Sequence, residues 1–529
     1  MTYNLLEKEW IPVLWSDGEF RRVGIKDALT QAGGIRQIAA SNPMDNVALL
    51  RFLLAVLQWC KPDVSKEEIA QLLRSETAKG VPDAWLGKLD DNKARFELFA
   101  NRQRFYQDSQ QSEQRPNRPV SDLFAYLPAG TEINHFRHVH DRDIALCPAC
   151  CAMGLVRLPA CATKGGRGLS PSINDAPPIY FMTAGYTLLE TLLLNWPAQN
   201  SQSDRPAWDS KTGDDKNTKI GVLEGLTWQP RAVWLGPLTE DKCACCGTAG
   251  PVVSKLVFKK GRSRKGDRRE WRDPYVALLP TGNRSEDGRD RKDRALRGPD
   301  PIEYSMQEAG YWRRTARAIL ESVRAGDEDA AVPGLAWAQT RFRRPSRFRV
   351  ACFEPFTKQA KKFDEHSDIW DAPDGLVANH RLLDIALQQL QQLDNLDSLC
   401  LTKILIRALP RNANKRPEIK AALADTAAGT EHALRQRFEQ FVEELAEANG
   451  DDAVRACTER WRGDVARILQ ERLTRACRVI VGGSALDRRE AIDSIKRELR
   501  SAMEKWRDAA PKQPGPVEEH PRASAEKAR

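Results

Sequence analysis

Apolar positions recur along this chain with two textures. From residue 375 to 508 they fall at helical spacing. Leu382, Ile385, Leu390 and Ile404 mark at least one helix within 376–409. Leu434, Phe438, Phe441, Val442 and Leu445 mark a second. Val454, Cys457, Trp461, Val465, Ile468, Leu469 and Leu473 mark a third, and Ile492, Ile495, Leu499, Met503 and Trp506 a fourth. Asp451 and Asp452 stand where an N-cap is expected, and Gly450 is suited to ending the helix before it. Amphipathic helices with short connections predict an antiparallel bundle. The first part, 1–370, mixes short apolar runs with Gly and Pro. EWIPVLW, IYFMTAGY and AVWLGPL, bounded by turn residues, predict strands or short helices. Val47–Cys60 is apolar nearly throughout and predicts a buried helix, whereas 197–219 is polar and predicts a loop. The expected fold class is α+β: a large N-terminal mixed α/β domain (1–370), a C-terminal helical bundle (375–508) and a Pro-rich, polar, disordered tail (509–529).

Composition changes this picture little. With 529 residues and 41% hydrophobic content, the chain suits two or three domains. No apolar run reaches membrane-spanning length, and the opening MTYNLLEKEWIPVL carries charges where a signal peptide needs an unbroken apolar stretch, so the expectation is a cytoplasmic protein with no membrane partner. Charge adds more through its distribution than through its net value of +9. Nine basic residues crowd 255–272, and RFRRPSRFR at 341–349 holds five arginines and two phenylalanines. Basic clusters interleaved with aromatics suit a phosphate backbone and its bases. In 284–297 the signs are mixed, which fits a solvated loop.

Candidate chemistry centres on cysteine. Cys147 and Cys150 form one Cys-x-x-Cys pair, and Cys243 and Cys246 another. Two intervening residues let both sulfurs reach one tetrahedral ion, and two such pairs complete a four-cysteine zinc shell. A shell of four thiolates leaves no open position, so the expected zinc is structural. Cys151 and Cys245 are then spares. A redox pair is the alternative, but it leaves the second pair unexplained. No P-loop, G-x-S-x-G or H-E-x-x-H is present. His135, His138 and His140, with Asp141 and Asp143, permit a zinc-dependent nuclease; a loop whose imidazoles and Phe136 touch nucleic acid is the other reading.

The order NLLEKEWIPVL, LCPAC, a glycine-rich stretch, GLTWQPR, CACCG and a helical C-terminus resembles the large subunit, CasA, of the type I-E CRISPR surveillance complex Cascade, over about residues 4–508. The resemblance implies a non-enzymatic subunit with an N-terminal α/β domain, a zinc site and a C-terminal four-helix bundle. Its implied partners are double-stranded target DNA, the 5′ handle of the guide RNA, other Cascade subunits and a recruited helicase–nuclease. It implies metal ligation by Cys147, Cys150, Cys243 and Cys246. It implies nucleic-acid contact by Phe136 and by His138, which stands where the family has Asn. It implies approach of Gly165, Gly166 and Gly168 to the minor groove beside the target, at the short flanking motif called the PAM. Lys259 or Lys260 is then the groove-reaching lysine. Lys358, Gln359 and Ala360, within FTKQAKKFDEH, are the wedge that opens the duplex, with Lys replacing the family's Asn. A groove only about 6 Å wide admits bare backbone better than side chains, which suits glycine. A zinc-stabilised scaffold that binds only protein is the remaining alternative.

Overall fold

The short apolar runs of the first part form small antiparallel sheets, and the long helices gather after residue 380. The computed structural model describes residues 2–124, 144–163, 168–197, 204–209, 218–280, 293–295, 310–326, 330–341, 347–358, 361–396, 417–480 and 485–508, apart from 76 and 268.

β1 (Ile11–Trp15) and β2 (Phe20–Val23) make a hairpin, α1 (Ile25–Thr30) follows, and β3 (Ile35–Ile38) pairs with the other edge of β1. α2 (Pro43–Cys60) is buried from Val47 to Trp59. It begins four residues before the apolar run because Asn42 accepts from the Met44 amide and Pro43 suits the first helical position. Its one cation, Arg51, is buried too, held by Asp273 at 2.8 Å and lying 4.8 Å from the Tyr180 ring. α3 (Lys66–Arg74) starts on a capping box between Ser65 and Glu68, and α4 (Asp83–Asp91) packs on α2. After β4 (Arg118–Pro119), α5 (Pro148–Cys161) is buried along its whole length against α2.

β5 (Tyr180–Thr183), α6 (Leu188–Leu194) and α7 (Val222–Leu226) precede β6 (Arg231–Leu235). β7 (Thr239–Lys242) and β8 (Ala249–Val252) form a hairpin. β9 (Lys255–Lys260) then lies between β4 and β6. β10 (Leu278–Pro280) pairs with β11 (Asp293–Ala295), so part of 284–297, expected as loop, is a strand. α8 (Tyr311–Ala325) and α9 (Pro333–Arg341) lead to a long hairpin, β12 (Phe348–Lys358) and β13 (Lys361–Ala372). α10 (Asp374–Val377), α11 (His380–Asn395), α12 (Pro417–Glu447), α13 (Asp451–Ile480) and α14 (Ala485–Asp508) complete the described chain.

The sheet β13-β12-β5 separates two cores. Strand alternation explains how it serves both. Tyr180, Met182 and Phe353 face the first core, with α2, α5 and the small sheets; Phe181, Val350 and Cys352 face the second. The second core contains the periodic residues Leu434, Phe438, Phe441, Val442, Leu445, Trp461, Val465, Leu469 and Leu473, together with Trp312, Ile319, Phe348 and Trp370. It therefore draws on both sides of residue 370.

One local expectation changes, and one expected loop holds a core residue. Asp451 and Asp452 lie in the first turn of α13 rather than at its cap, where negative charge suits the helix dipole, and Gly450, at φ +85°, supplies the turn. The polar 197–219 stretch holds a buried Trp208, packed edge-on against Phe52 and Trp59, while Asp209 accepts from the Trp59 indole. Ile404 and the tail 509–529 lie outside the described residues.

Candidate metal centre and nucleic-acid interface

Cys147 caps α5, with Pro148 at the first helical position and Cys150 in the first turn. Helix geometry therefore points both thiols at one spot beyond the helix end. The second pair sits in the turn between β7 and β8. There the Gly247 amide donates to Cys243 O and the Cys243 amide to Thr248 O, each at 2.9 Å. Three backbone hydrogen bonds join the two turns: Leu146 and Val253 exchange both amide bonds, and Ala244 N donates to Ala145 O.

The result is one cluster. The sulfurs of Cys147, Cys150, Cys243 and Cys246 all lie within 4.8 Å of one another. Cys147 and Cys246 are 3.6 Å apart, and Cys150 and Cys243 are 3.8 Å apart. Thiolates at about 2.3 Å from a tetrahedral zinc stand roughly 3.8 Å from each other, so the spacing fits a metal ion. Hydrogen bonds from Cys147 and Cys150 hold the Cys243 thiol well below its usual range, whereas those with Cys147 and Cys243 push the Cys150 thiol up. Cys151 is buried and donates to Leu146 O, whereas Cys245 is exposed. Among the described residues, no other group of His, Cys, Asp or Glu is arranged to hold an ion.

Both cysteine turns lead directly to candidate nucleic-acid elements. From the first, α5 runs about 21 Å to Cys161, and the glycine-rich stretch follows. From the second, β8 leads into β9, whose last two residues are Lys259 and Lys260, both exposed. Neither lysine has an ion-pair partner among the described residues. Their strand neighbours on β6 are Ala232 and Arg231. Helix α5 also holds the hairpin. Its buried Arg157 pairs with Asp45 on α2 and with Glu365 on β13. Lys358 pairs with Lys361 in the β12–β13 register, the last pair of the described hairpin.

Gly168 is exposed with φ +87°, a conformation that favours glycine, and a Cβ there would meet nothing within 4 Å. Gly165, Gly166, Phe136, His135, His138, His140, Gln359 and Ala360 lie outside the described residues, as does the side chain of Lys358.

The basic stretches divide. In 255–272, Arg262 lies 3.9 Å from the Trp228 ring and pairs with Glu224, and Arg269 pairs with Glu224 and Asp267. In 341–349, Arg341 turns inward and donates to the carbonyls of Leu193, Leu194 and Trp196, while Arg347 pairs with Glu443 and Asp371. These arginines hold the protein to itself, a role that sequence clustering does not distinguish from phosphate binding. Arg231, the last residue of GLTWQPR, received no role from the sequence. Its buried guanidinium donates to Thr163 O, Ser170 O and Pro230 O, and burial lowers its pKa to about 10.

Comparison with known proteins gives this geometry a family. The model for CRISPR-associated protein Cse1 matches residues 4–476. CasA/Cse1 of Thermus thermophilus is 31% identical over 310 residues, spanning 53% of this chain and 60% of that relative, so less than two thirds of its length is matched. The fold is similar to that of Acidimicrobium ferrooxidans Cse1, with a TM-score of 0.68 at 20% identity over 97% of this chain and 99% of that one. For the solved structure of Thermus thermophilus CasA the values are 0.66, 23%, 95% and 100%. A chain of a CRISPR RNA-guided surveillance complex gives 0.67 at 17%, over 94% of this chain and 99% of that one. With the four-cysteine cluster at the head of α5 and a family match that runs from the first strand region into α13, the chain belongs to the Cse1 (CasA) family of CRISPR-associated proteins.

Proposed function

We propose that this chain is the non-catalytic large subunit of a type I-E guide-RNA surveillance complex, reading the PAM through the minor groove and helping to open the target duplex. The carrying observation is the shared origin of the candidate contacts. One thiol cluster holds the starts of α5, which leads to the glycine-rich stretch, and of the β8–β9 segment, which leads to Lys259 and Lys260. Glycine backbone and one or two lysines suit a groove whose code is essentially A·T against G·C, so several PAMs are tolerated. Lys358, Gln359 and Ala360 act as the wedge. Unstacking one base step costs a few kcal/mol and starts strand separation, after which guide pairing supplies sequence specificity.

In this reading zinc is held by Cys147, Cys150, Cys243 and Cys246 and serves structure alone, since four thiolates leave no position for a reacting water. Phe136 and His138 contact nucleic acid, and the helices after residue 375, which share their core with α8 and the β12–β13 sheet, dock other subunits. The chain supplies the surface to which a helicase–nuclease is recruited.

The test is a reconstituted guide-RNA complex carrying Lys259→Ala with Lys260→Ala, titrated against duplexes that differ only in the flanking motif. The expected result is loss of preference among flanks, with the salt slope of binding reduced by about 1 for each phosphate that a lysine no longer neutralises. Unchanged preference removes the two lysines from the site. A metal-loaded chain that cleaves labelled DNA by itself overturns the non-catalytic reading.

A further inference from the structure

The guanidinium of Arg231 ties Thr163 to Ser170. Two of its nitrogens donate to Thr163 O and Ser170 O, carbonyls that flank residues 164–169. A second tie between the same two flanks is the Ser172 amide, which donates to Ala162 O at 2.8 Å. Arg231 itself belongs to β6 and stands opposite Lys260 in the β6–β9 register, with Ala232 opposite Lys259. Its side chain lies 5.3 Å from the Phe258 ring, on the strand that carries both lysines. One side chain thus bridges the exit of α5 and the end of β9, at the far ends of the two segments whose beginnings the cysteine cluster joins.

The chemistry is unusual for a residue that only stabilises. Arg231 is buried, and every hydrogen bond it makes is to a backbone carbonyl. Among the described residues no carboxylate lies within ion-pair distance; Asp122 offers only a longer-range attraction. A buried cation without a bonded counter-charge is a poor source of stability, since an apolar side chain of similar volume avoids the desolvation cost. What arginine offers is a rigid planar fork that holds two acceptors at a fixed separation, which lysine cannot reproduce.

We infer that Arg231 is a positioning residue that sets the spacing between the glycine-rich stretch and the Lys259–Lys260 strand end, and through it the discrimination among flanking motifs. The inference rests on the proposal that those two elements meet the duplex. It gives Arg231 no contact with DNA.

The experiment uses the reconstituted guide-RNA complex with Arg231→Met, Arg231→Lys, and Lys259→Ala with Lys260→Ala. Three quantities are read: the affinity ratio between the best and the worst flank, the salt slope of non-specific duplex binding, and the rate of trypsin cleavage after Lys164 and Arg167. Arg231→Met is expected to shrink the affinity ratio by roughly tenfold, the scale on which a single well-placed hydrogen-bonding group discriminates between bases. Its salt slope stays at the wild-type value, because no phosphate-facing charge is removed, and cleavage at the two sites speeds up. Arg231→Lys, which can reach one carbonyl at a time, is expected to fall between. A residue with a merely structural role would accelerate cleavage and leave the ratio alone. Wild-type discrimination in Arg231→Met, while the double lysine variant loses it, overturns the inference about Arg231. Should Arg231→Met fail to fold, Arg231→Lys decides, and a wild-type ratio there overturns the inference equally. If neither arginine nor lysine variants change discrimination, the reading of the duplex-contacting surface is what fails.

Discussion

The two cores on either side of the β13-β12-β5 sheet are built by different means. The second is made mainly of long helices whose apolar residues repeat every three or four positions, with α12 and α13 packed along their length, although Trp312 and Arg313 also reach Glu431 across it. The first is made of short strands and turns, and its key ties cross long stretches of chain. Arg51 meets Asp273, Arg157 meets Glu365, and Cys147 meets Cys246. Each such tie is between a charge or a thiol and a specific partner, not between interchangeable apolar surfaces. Packing makes the second core stable, whereas point ties give the first core defined positions for its loops. Among the described residues, those that lead to candidate nucleic-acid elements leave from the point-tied side: α5 toward the glycine-rich stretch, β9 toward the lysines, and the β12–β13 hairpin, held by Arg157 at Glu365.

That contrast breaks most visibly at Trp461. It is fully buried on α13, stacked with Phe441 at 5.2 Å and edge-on to Phe438. Trp461→Ala is expected to cost about 3–5 kcal/mol, read by chemical denaturation. Metal content per folded chain should stay unchanged, because no thiol ligand touches that core. A variant that loses metal in step with stability would mean that the two sides unfold as one.

A smaller effect tests the dividing sheet. Glu354 on β12 is buried, and the Tyr311 hydroxyl donates to it at 2.8 Å. Burial pushes its pKa from the ordinary 4.5 up to about 6, with Asp368 adding to the rise and Arg435 and His366 opposing it. The folded state then binds more protons than the unfolded state between those values, so stability falls as pH rises from about 4.5 to 6. The full effect is about 2 kcal/mol. Glu354→Gln keeps an acceptor for Tyr311 and is expected to raise stability at neutral pH by up to that amount and to remove this slope. A slope that survives the substitution assigns it to other carboxylates.

The smallest effect is at Gly168. A Cβ there is unobstructed, so Gly168→Ala should cost only the left-handed backbone penalty, about 1 kcal/mol. Flank discrimination should fall more than stability does. Equal wild-type discrimination would separate this glycine from the duplex surface.

Legibility in the sequence followed the same divide. The helices after 430 were readable because their apolar residues are periodic, and Leu434 through Leu473 are found in one core. The four clustered cysteines were readable because two short spacings carry a tetrahedral geometry in themselves. Pairwise ties left no such trace. Arg51 sits inside an apolar run with a partner 222 residues away, and Arg341 looks like part of a basic face but is satisfied by carbonyls of α6 and the turn after it. Trp208 was hidden by the polarity of its neighbours, although an aromatic side chain in such a stretch is itself a sign of burial. Arg231 was visible only as one letter of a motif; its role depends on two carbonyls that the sequence does not bring together.

The most direct test of a metal-held reading surface is to measure metal content and flank discrimination on the same samples. The purified chain is expected to carry one zinc, Cys243→Ser none, and the variant assembled with guide RNA should bind duplexes without regard to the flank while keeping non-specific binding. A chain that carries no metal, or a metal-free variant that still discriminates among flanks as the parent does, would contradict the proposal that the thiol cluster positions the loops that read DNA.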